Sequence, residues 1–104
     1  MGKLRPNCVN IQGVHVADID DETARKIGTH KGVRIIHVTK NTPGWDADLL
    51  CEDVITHVDD RVISDNHALD KIFFKETGPH SLTIIRGSEH LKKVIDLLPM
   101  PEVK

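Results

Sequence analysis

Apolar and polar residues alternate near the start of the sequence and then change to a helical pattern. Val14 and Val16 recur at every second position with His15 between them, which is the period of a strand. The segment DDETARKIG at residues 20–28 then has an aspartate to cap a helix, alanine and isoleucine on one face, and a glycine to end it. The pattern predicts a strand followed by a helix of about two turns.

A second strand, a short helix and a strand pair are predicted in the middle of the chain. Residues 32–40, GVRIIHVTK, are rich in β-branched side chains and bounded by turn residues, which is typical of a strand. In TPGWDADLL, Thr42 can cap a short helix whose first position holds Pro43, where the missing N–H costs nothing. Residues 53–63, DVITHVDDRVI, predict two short strands joined at the paired aspartates.

The last third of the chain predicts a longer helix and a hairpin. Ala68 precedes Ile72 by four residues, and Leu69 precedes Phe73 by four, so the four side chains form one apolar stripe. TGP ends this helix, and SLTIIRGSEHLKKVIDLL predicts two strands that turn at Gly–Ser. The order of elements indicates an α+β fold without βαβ repetition, in which helices cap a small sheet.

Length and charge exclude several classes of protein. The 104 residues fit one domain, and the net charge of −2 comes from basic and acidic residues that alternate along the chain. Without a basic stripe, and with only Trp45, Phe73 and Phe74 as aromatic residues, a nucleic-acid partner is not expected. The sequence also lacks an apolar run of the ~18 to 20 residues that direct membrane insertion would need.

Trp45 is predicted to pack the short helix against the sheet, with a contact to another domain as the alternative.

Cysteine and histidine patterns give no metal motif, so no cofactor is expected. Cys8 and Cys51 are far apart and outside any CxxC pattern, which indicates two ordinary thiols, or a disulfide if the compartment is oxidising. The seven histidines show no HxxxH or HExxH spacing and are predicted on the surface, although two strand faces could still gather a pair. They are His15, His30, His37, His57, His67, His80 and His90.

Catalysis is also not predicted. Ser64, Asp65 and His67 are close in sequence, but a catalytic triad is defined in space, and the chain has no GxSxG nucleophile elbow. We therefore expect a domain that is not an enzyme.

The segment from GVRIIHVTKNTPGWDADLL through EDVI to the final hairpin resembles a PDZ domain. With IQGVHVADIDDETARKIG ahead of it, it is most similar to the PDZ domains of bacterial HtrA/Deg-type serine proteases. The resemblance covers about residues 9–98 of a single domain, with polar tails or linkers at both ends. It implies a small, partly open β-barrel or sandwich of five to six strands capped by two or three helices.

The sequence departs from this family at three turns, where Asp48, Glu52 and Asp60 occupy positions that usually hold glycine. Aspartate tolerates a left-handed backbone modestly and glutamate poorly, so the geometry of these turns is left open.

The resemblance also implies a peptide-binding site. The backbone N–H groups of Gln12, Gly13 and Val14 match the loop that binds a C-terminal carboxylate, although a lone glycine before a strand is also typical of a β-bulge. The peptide would pair with the strand over residues 14–18. Further contacts are expected from residues of the strand and of the facing helix. They are Ile11, His15, Val16, Ala17, His67, Ala68, Lys71 and Ile72.

Particular roles are expected for two parts of this set. Ile11, Val14, Val16, Ala68 and Ile72 would line an apolar pocket for a small to medium aliphatic C-terminal residue. His67 lies near the position where many PDZ domains hydrogen-bond a serine or threonine two residues before the end of the peptide.

The implied function is capture of C-terminal or extended hydrophobic peptides by strand addition. The domain would regulate an HtrA-like protease, or recognise its substrates, beside a parent protease domain in the periplasm or envelope. One alternative is an assembly module of a secretion, organelle or other envelope complex, whose groove a partner subunit fills. A histidine-based metal-binding domain is the other.

Overall fold

The computed structural model describes residues 12–99, so the predictions for Cys8 and Ile11 fall outside the described residues. The helices and strands follow the predicted order. They are β1 (Val14–Asp18), α1 (Asp21–Ile27), β2 (Val33–Val38), α2 (Pro43–Asp46), β3 (Val54–Val58), β4 (Arg61–Val62), α3 (Asn66–Lys75), β5 (Gly78–Arg86) and β6 (Glu89–Leu97). None of the helices in this part of the chain is both long and apolar enough to cross a bilayer.

Side-chain caps fix where the helices begin. The carboxylate of Asp20 accepts a hydrogen bond from the backbone N–H of Thr23 at 2.8 Å, and α1 ends at Gly28 with a left-handed φ of 86°. Thr42 caps α2, and Asp65 caps α3 by accepting from the backbone N–H of Ala68 at 3.0 Å. These contacts satisfy N–H groups that a first helical turn leaves without an intrahelical partner.

The strands form one antiparallel sheet in the order β1-β2-β3-β5-β6, with β4 paired to β3. Among the described strands, β1 and β6 therefore lie at the two ends of this order. The side chain of Gln12, just before β1, bonds to the backbone of Leu98, just after β6, and draws these two strands together. This arrangement is the predicted partly open barrel with three helices.

Aliphatic side chains from both ends of the chain form the main core, including Ile35, Ile55, Leu69, Leu82 and Ile95. All of these are essentially inaccessible to solvent. Since α3 contributes to the same cluster as β1 and β2, burial of its apolar stripe holds this helix beside the sheet.

One boundary of the sequence prediction is wrong, and Trp45 is partly exposed. β5 begins at Gly78 rather than Ser81, because the ladder with β6 extends to the pairing of Gly78 with Leu97. Trp45, which was predicted to pack α2 against the sheet, has 45% of its surface exposed and belongs to neither core cluster of the described residues, so its packing role stays a prediction. Gly44 is the buried residue of α2, and its lack of a side chain lets the helix backbone approach the sheet directly.

The three turns that lack the usual glycine keep the geometry that glycine would have. Asp48, Glu52 and Asp60 have φ values of 65°, 76° and 73°. The side chain of Asp48 accepts from Lys93 Nζ at 2.8 Å, and this ion pair lowers the pKa of the carboxyl. The carbonyl of Asp48 accepts from Arg86 Nη2 at 2.9 Å. The fold therefore holds side-chain-bearing residues in a conformation that they rarely adopt.

Candidate functional site

The candidate site lies between the strand β1 and the helix α3, whose facing side chains are apolar, and is here called the β1–α3 groove. Val16 on β1 and Ala68 on α3 are both half-buried against the main core, in which Val14 and Ile72 are buried. The structure thus places four of the five predicted pocket residues on the two elements that border the groove. The fifth, Ile11, lies outside the described residues.

One end of the groove is fixed by Asp18, the last residue of β1. Its Oδ1 accepts from the backbone N–H of Asn66 at 2.9 Å and from Asn66 Nδ2 at 2.8 Å. Asn66 is the first residue of α3, so the end of the strand is joined to the start of the helix.

The other end of the groove is fixed by Gln12, whose side chain is almost completely buried. Gln12 Nε2 donates to the carbonyl of Phe73 at 3.3 Å and to that of Leu98 at 2.8 Å, while the N–H of Leu98 donates to Gln12 Oε1 at 3.0 Å. Phe73 lies toward the C-terminal end of α3. The start of β1 is therefore tied both to the helix and to the last strand.

Gly13 requires glycine for two reasons. Its φ is 78°, in the left-handed region, and a β-carbon there would collide with the side chain of Thr42. Its carbonyl accepts from the N–H of Thr39 at 2.9 Å. The predicted carboxylate loop is thus a turn packed directly against the N-terminus of α2.

Gly44 of α2 also contacts this loop. Its N–H donates to the carbonyl of Gln12 at 2.8 Å, and a β-carbon on Gly44 would collide with Val14. The glycines at positions 13 and 44 therefore allow two backbone segments to approach each other where a side chain would separate them.

The remaining predicted contacts lie around the groove. His15 and Ala17 alternate with the core-facing valines of β1, so they lie on the opposite face of the strand. His67 and Lys71 are exposed and four residues apart, which places them on one side of α3. A role of these four residues in ligand binding stays a prediction.

A charged cluster lies where β3, β4, α3 and β5 meet. Arg61 donates to both carboxylate oxygens of Glu76 at 2.8 and 2.9 Å, and His80 Nε2 lies 2.9 Å from Glu76 and 3.7 Å from Asp59. The hydrogen bonds from Arg61 and His80 lower the pKa of Glu76 to about 2. Burial alone would lower the pKa of His80, but its bonds to the Gly78 carbonyl and to Glu76 raise it overall.

Within the described residues, this cluster also brings three potential metal ligands close together. They are Asp59, Glu76 and His80. Arg61 already occupies the carboxylate of Glu76, and both ring nitrogens of His80 face acceptors. The arrangement is that of an ion-pair network.

Sequence reasoning missed the residues that support the groove. Asp18, Asn66 and Gly44 gave no signal, because each acts through a partner distant in sequence, as in the contact between Asp18 and Asn66 across 48 residues. An aspartate at the end of an apolar strand and an asparagine after a helix cap are common in any fold.

The family model described as PDZ domain matches residues 10–97, which includes all of the elements above. No curated protein sequence matches the chain.

Solved structures share the fold. The HtrA3 PDZ domain bound to a phage-derived ligand, FGRWV, has a TM-score of 0.72 at 23% identity, covering 81% of this chain and 80% of that one. The HtrA-type protease AlgW, in its S227A form with a decapeptide, also has a TM-score of 0.72 at 22% identity. That match covers 83% of this chain, which spans 27% of the protease chain.

A more distant likeness is to the PDZ domain of EpsC from Vibrio cholerae, with a TM-score of 0.57 at 17% identity, covering 83% of this chain and 95% of that one. At these identities the structures establish the fold, and the sequence match over residues 10–97 establishes the family. The chain belongs to the PDZ domain family.

Proposed function

We propose that this domain recognises C-terminal or extended hydrophobic peptides by adding them as a strand beside β1. The observation that carries the proposal is that the β1–α3 groove is fixed at both ends, by Gln12 and by Asp18, while Val16 and Ala68 stay partly accessible between them. A rigid groove binds an extended ligand with a smaller entropy cost than one that must form on binding.

The end of the peptide would lie at the Gln12–Gly13–Val14 loop. The left-handed φ of Gly13 turns the backbone there, as in the loops whose N–H groups surround an anion. The apolar pocket formed by Val14, Val16, Ala68 and Ile72 favours a small or medium aliphatic last residue. The ligand bound to the HtrA3 PDZ domain ends in valine, which supports this choice.

The domain itself is proposed to be non-catalytic. The carboxylate of Asp65 caps α3 by accepting from the N–H of Ala68, which is the role of a helix cap and not that of a triad aspartate. The domain contributes binding. For a short peptide we expect a dissociation constant of about 1 μM, which is a binding free energy near −8 kcal/mol.

We further propose that the parent protein is an HtrA-like serine protease of the bacterial periplasm or envelope. The support is the likeness to the HtrA3 and AlgW domains, the latter in protease chains solved with a decapeptide and a tripeptide. The coding sequence upstream of this domain should then encode a serine protease domain, and fractionation should place the whole protein in the envelope. A scaffold sequence there, or a cytosolic location, would overturn this part of the proposal.

The groove can be tested by calorimetry with free-acid peptides ending in valine, alanine or isoleucine. Ala68→Arg places a long charged side chain in the groove and should weaken binding at least about tenfold, or 1.4 kcal/mol. Val94→Lys, on an exposed position of β6, is the matched control and should bind as the unmodified domain does. Equal affinity of the two variants would contradict binding in the groove. Self-association of the domain without affinity for any of these peptides would favour the assembly module.

A further inference from the structure

His15 and His37 form a pair across two neighbouring strands. They are register partners between β1 and β2, and their ring centroids lie 5.5 Å apart at an interplanar angle of 46°. His15 is half-buried and His37 is exposed. The two imidazoles therefore meet on the face of the sheet that is turned away from the core, directly beside the edge of β1.

We propose that His15 and His37 bind a divalent transition-metal ion such as Zn²⁺, Ni²⁺ or Cu²⁺. Imidazole nitrogen suits these ions, and each Zn–N bond is about 2.0–2.1 Å long. Directly opposed residues of an antiparallel pair have β-carbons about 4.5–5.5 Å apart, a spacing from which two rings can turn their nitrogens toward one ion. The backbone register holds both ligands together before the ion arrives.

The histidine pair suits a metal ion better than the Asp59–Glu76–His80 cluster does. An ion at that cluster would have to displace Arg61, which donates to both oxygens of Glu76, and break a ring contact of His80. Binding at His15 and His37 would require these two rings to give up their mutual contact. Two protein ligands leave further coordination positions open to water or to another molecule.

The open positions would face a peptide bound to β1, a step that rests on the proposed function. The side chains of an added strand alternate, so if the last residue enters the groove, the penultimate side chain lies on the opposite face. If the peptide runs antiparallel to β1 with its last residue at Gly13, the penultimate side chain lies beside His15. A metal ion on the pair would therefore select peptides whose penultimate residue is itself a ligand, such as histidine, cysteine or aspartate.

The metal site is tested first without peptide, on the untagged domain, by following the imidazole C–H resonances of all histidines during a Zn²⁺ titration. The resonances of His15 and His37 should shift together and saturate at one ion per domain. His15→Ala and His37→Ala should each abolish this binding. His90→Ala, which removes an exposed histidine of β6, should leave it unchanged. Zinc shifts centred on His80, or unchanged zinc affinity in both variants with the spectrum of a folded domain, would overturn the site.

The effect on ligand choice is tested with two free-acid peptides that differ only by histidine or alanine at the penultimate position. Zn²⁺ should raise the affinity for the histidine peptide at least about fivefold and leave the alanine peptide unchanged, a coupling of the ordinary allosteric size. His37→Ala should remove the increase and keep the zinc-free affinity. Zinc binding with no difference between the two peptides would overturn the selection but not the metal site. Failure of both peptides to bind in either condition would overturn the proposed function instead.

Discussion

The side chain of Gln12 and the backbone of Leu98 exchange two hydrogen bonds, from Nε2 to the carbonyl at 2.8 Å and from the N–H to Oε1 at 3.0 Å. They join residues 86 positions apart, and a third bond from the same amide reaches Phe73 on α3. One buried amide thus connects the first strand, the last strand and the groove helix. The position of the proposed carboxylate loop depends on this side chain.

Replacing Gln12 should therefore affect both stability and ligand binding. Gln12→Ala removes the partners of two carbonyls and one N–H and should lower the free energy of unfolding by about 1–3 kcal/mol. Urea denaturation measures this loss, and calorimetry should show weaker peptide binding. Gln12→Met keeps the volume but not the hydrogen bonds, so it should lose nearly as much. Full stability of the methionine variant would show that volume alone matters at this position.

Gly13→Ala should be more damaging than an alanine at another left-handed glycine. It adds both an unfavourable φ and a collision with Thr42, whereas Gly28, at φ 86°, has open space around its Cα. We expect Gly13→Ala to cost about 1–3 kcal/mol more than Gly28→Ala in thermal or urea unfolding. It should also weaken peptide binding, while Gly28→Ala binds normally. Equal stability losses in the two variants would contradict the close packing of Gly13 on Thr42.

Glu52→Gly should stabilise the domain. Glutamate at a φ of 76° is unfavourable, and glycine removes this cost at the expense of some chain entropy. The exposed ion pair with Arg34 at 3.3 Å is lost but contributes little. The expected net gain is about 0.5–1 kcal/mol in the free energy of unfolding. Glu52→Gln, which removes the charge and keeps the backbone cost, should show no such gain; a gain there would assign the effect to charge.

The charged cluster predicts how stability depends on pH. The pKa of Glu76 falls from 4.5 to about 2 on folding, so its contribution is present above pH 4.5 and is lost as the pH falls toward 2. The pKa of His80 is raised above 6.5, so its contribution is present below pH 6.5 and is lost as the pH rises through the raised value. Together they favour the folded state most between pH 4.5 and 6.5.

Urea denaturation across the pH range measures this dependence. Glu76→Gln should flatten the acid side of the profile, and His80→Gln should flatten the side above pH 6.5. His90→Gln, at an exposed histidine, is the control and should leave both sides as they are. An unchanged alkaline slope in His80→Gln would contradict the raised pKa.

Local patterns in the sequence predicted most of the fold, because interactions between residues close in sequence fix where the helices and strands begin and end. Thr42 and Pro43 mark the start of α2, and Gly28 the end of α1, through contacts within a few residues. The left-handed turns at Asp48 and Glu52 were left open, since neither residue indicates that geometry by itself, and only the structure gives their positive φ values.

The support of the groove was not predictable in the same way. Gln12 was predicted for its backbone, whereas its buried side chain acts on residues at the far end of the chain. Trp45 was predicted to pack because tryptophan is large and apolar, but the close approach of Gly44 to Val14 decides how α2 lies on the sheet. Such contacts depend on the assembled fold, which a pattern of residue types does not contain.

The central claim is that the loop at Gly13 binds a peptide carboxylate, and an NMR titration with paired peptides tests it most directly. Each peptide ends in an aliphatic residue and is used once as the free acid and once as the C-terminal amide. We predict that the free acids shift the backbone N–H resonances of Gln12, Gly13 and Val14 together with those of Ala68 and Ile72, and that the amides do so at least about tenfold more weakly. Equal shifts from acid and amide, or shifts that leave this loop unmoved, would contradict the claim.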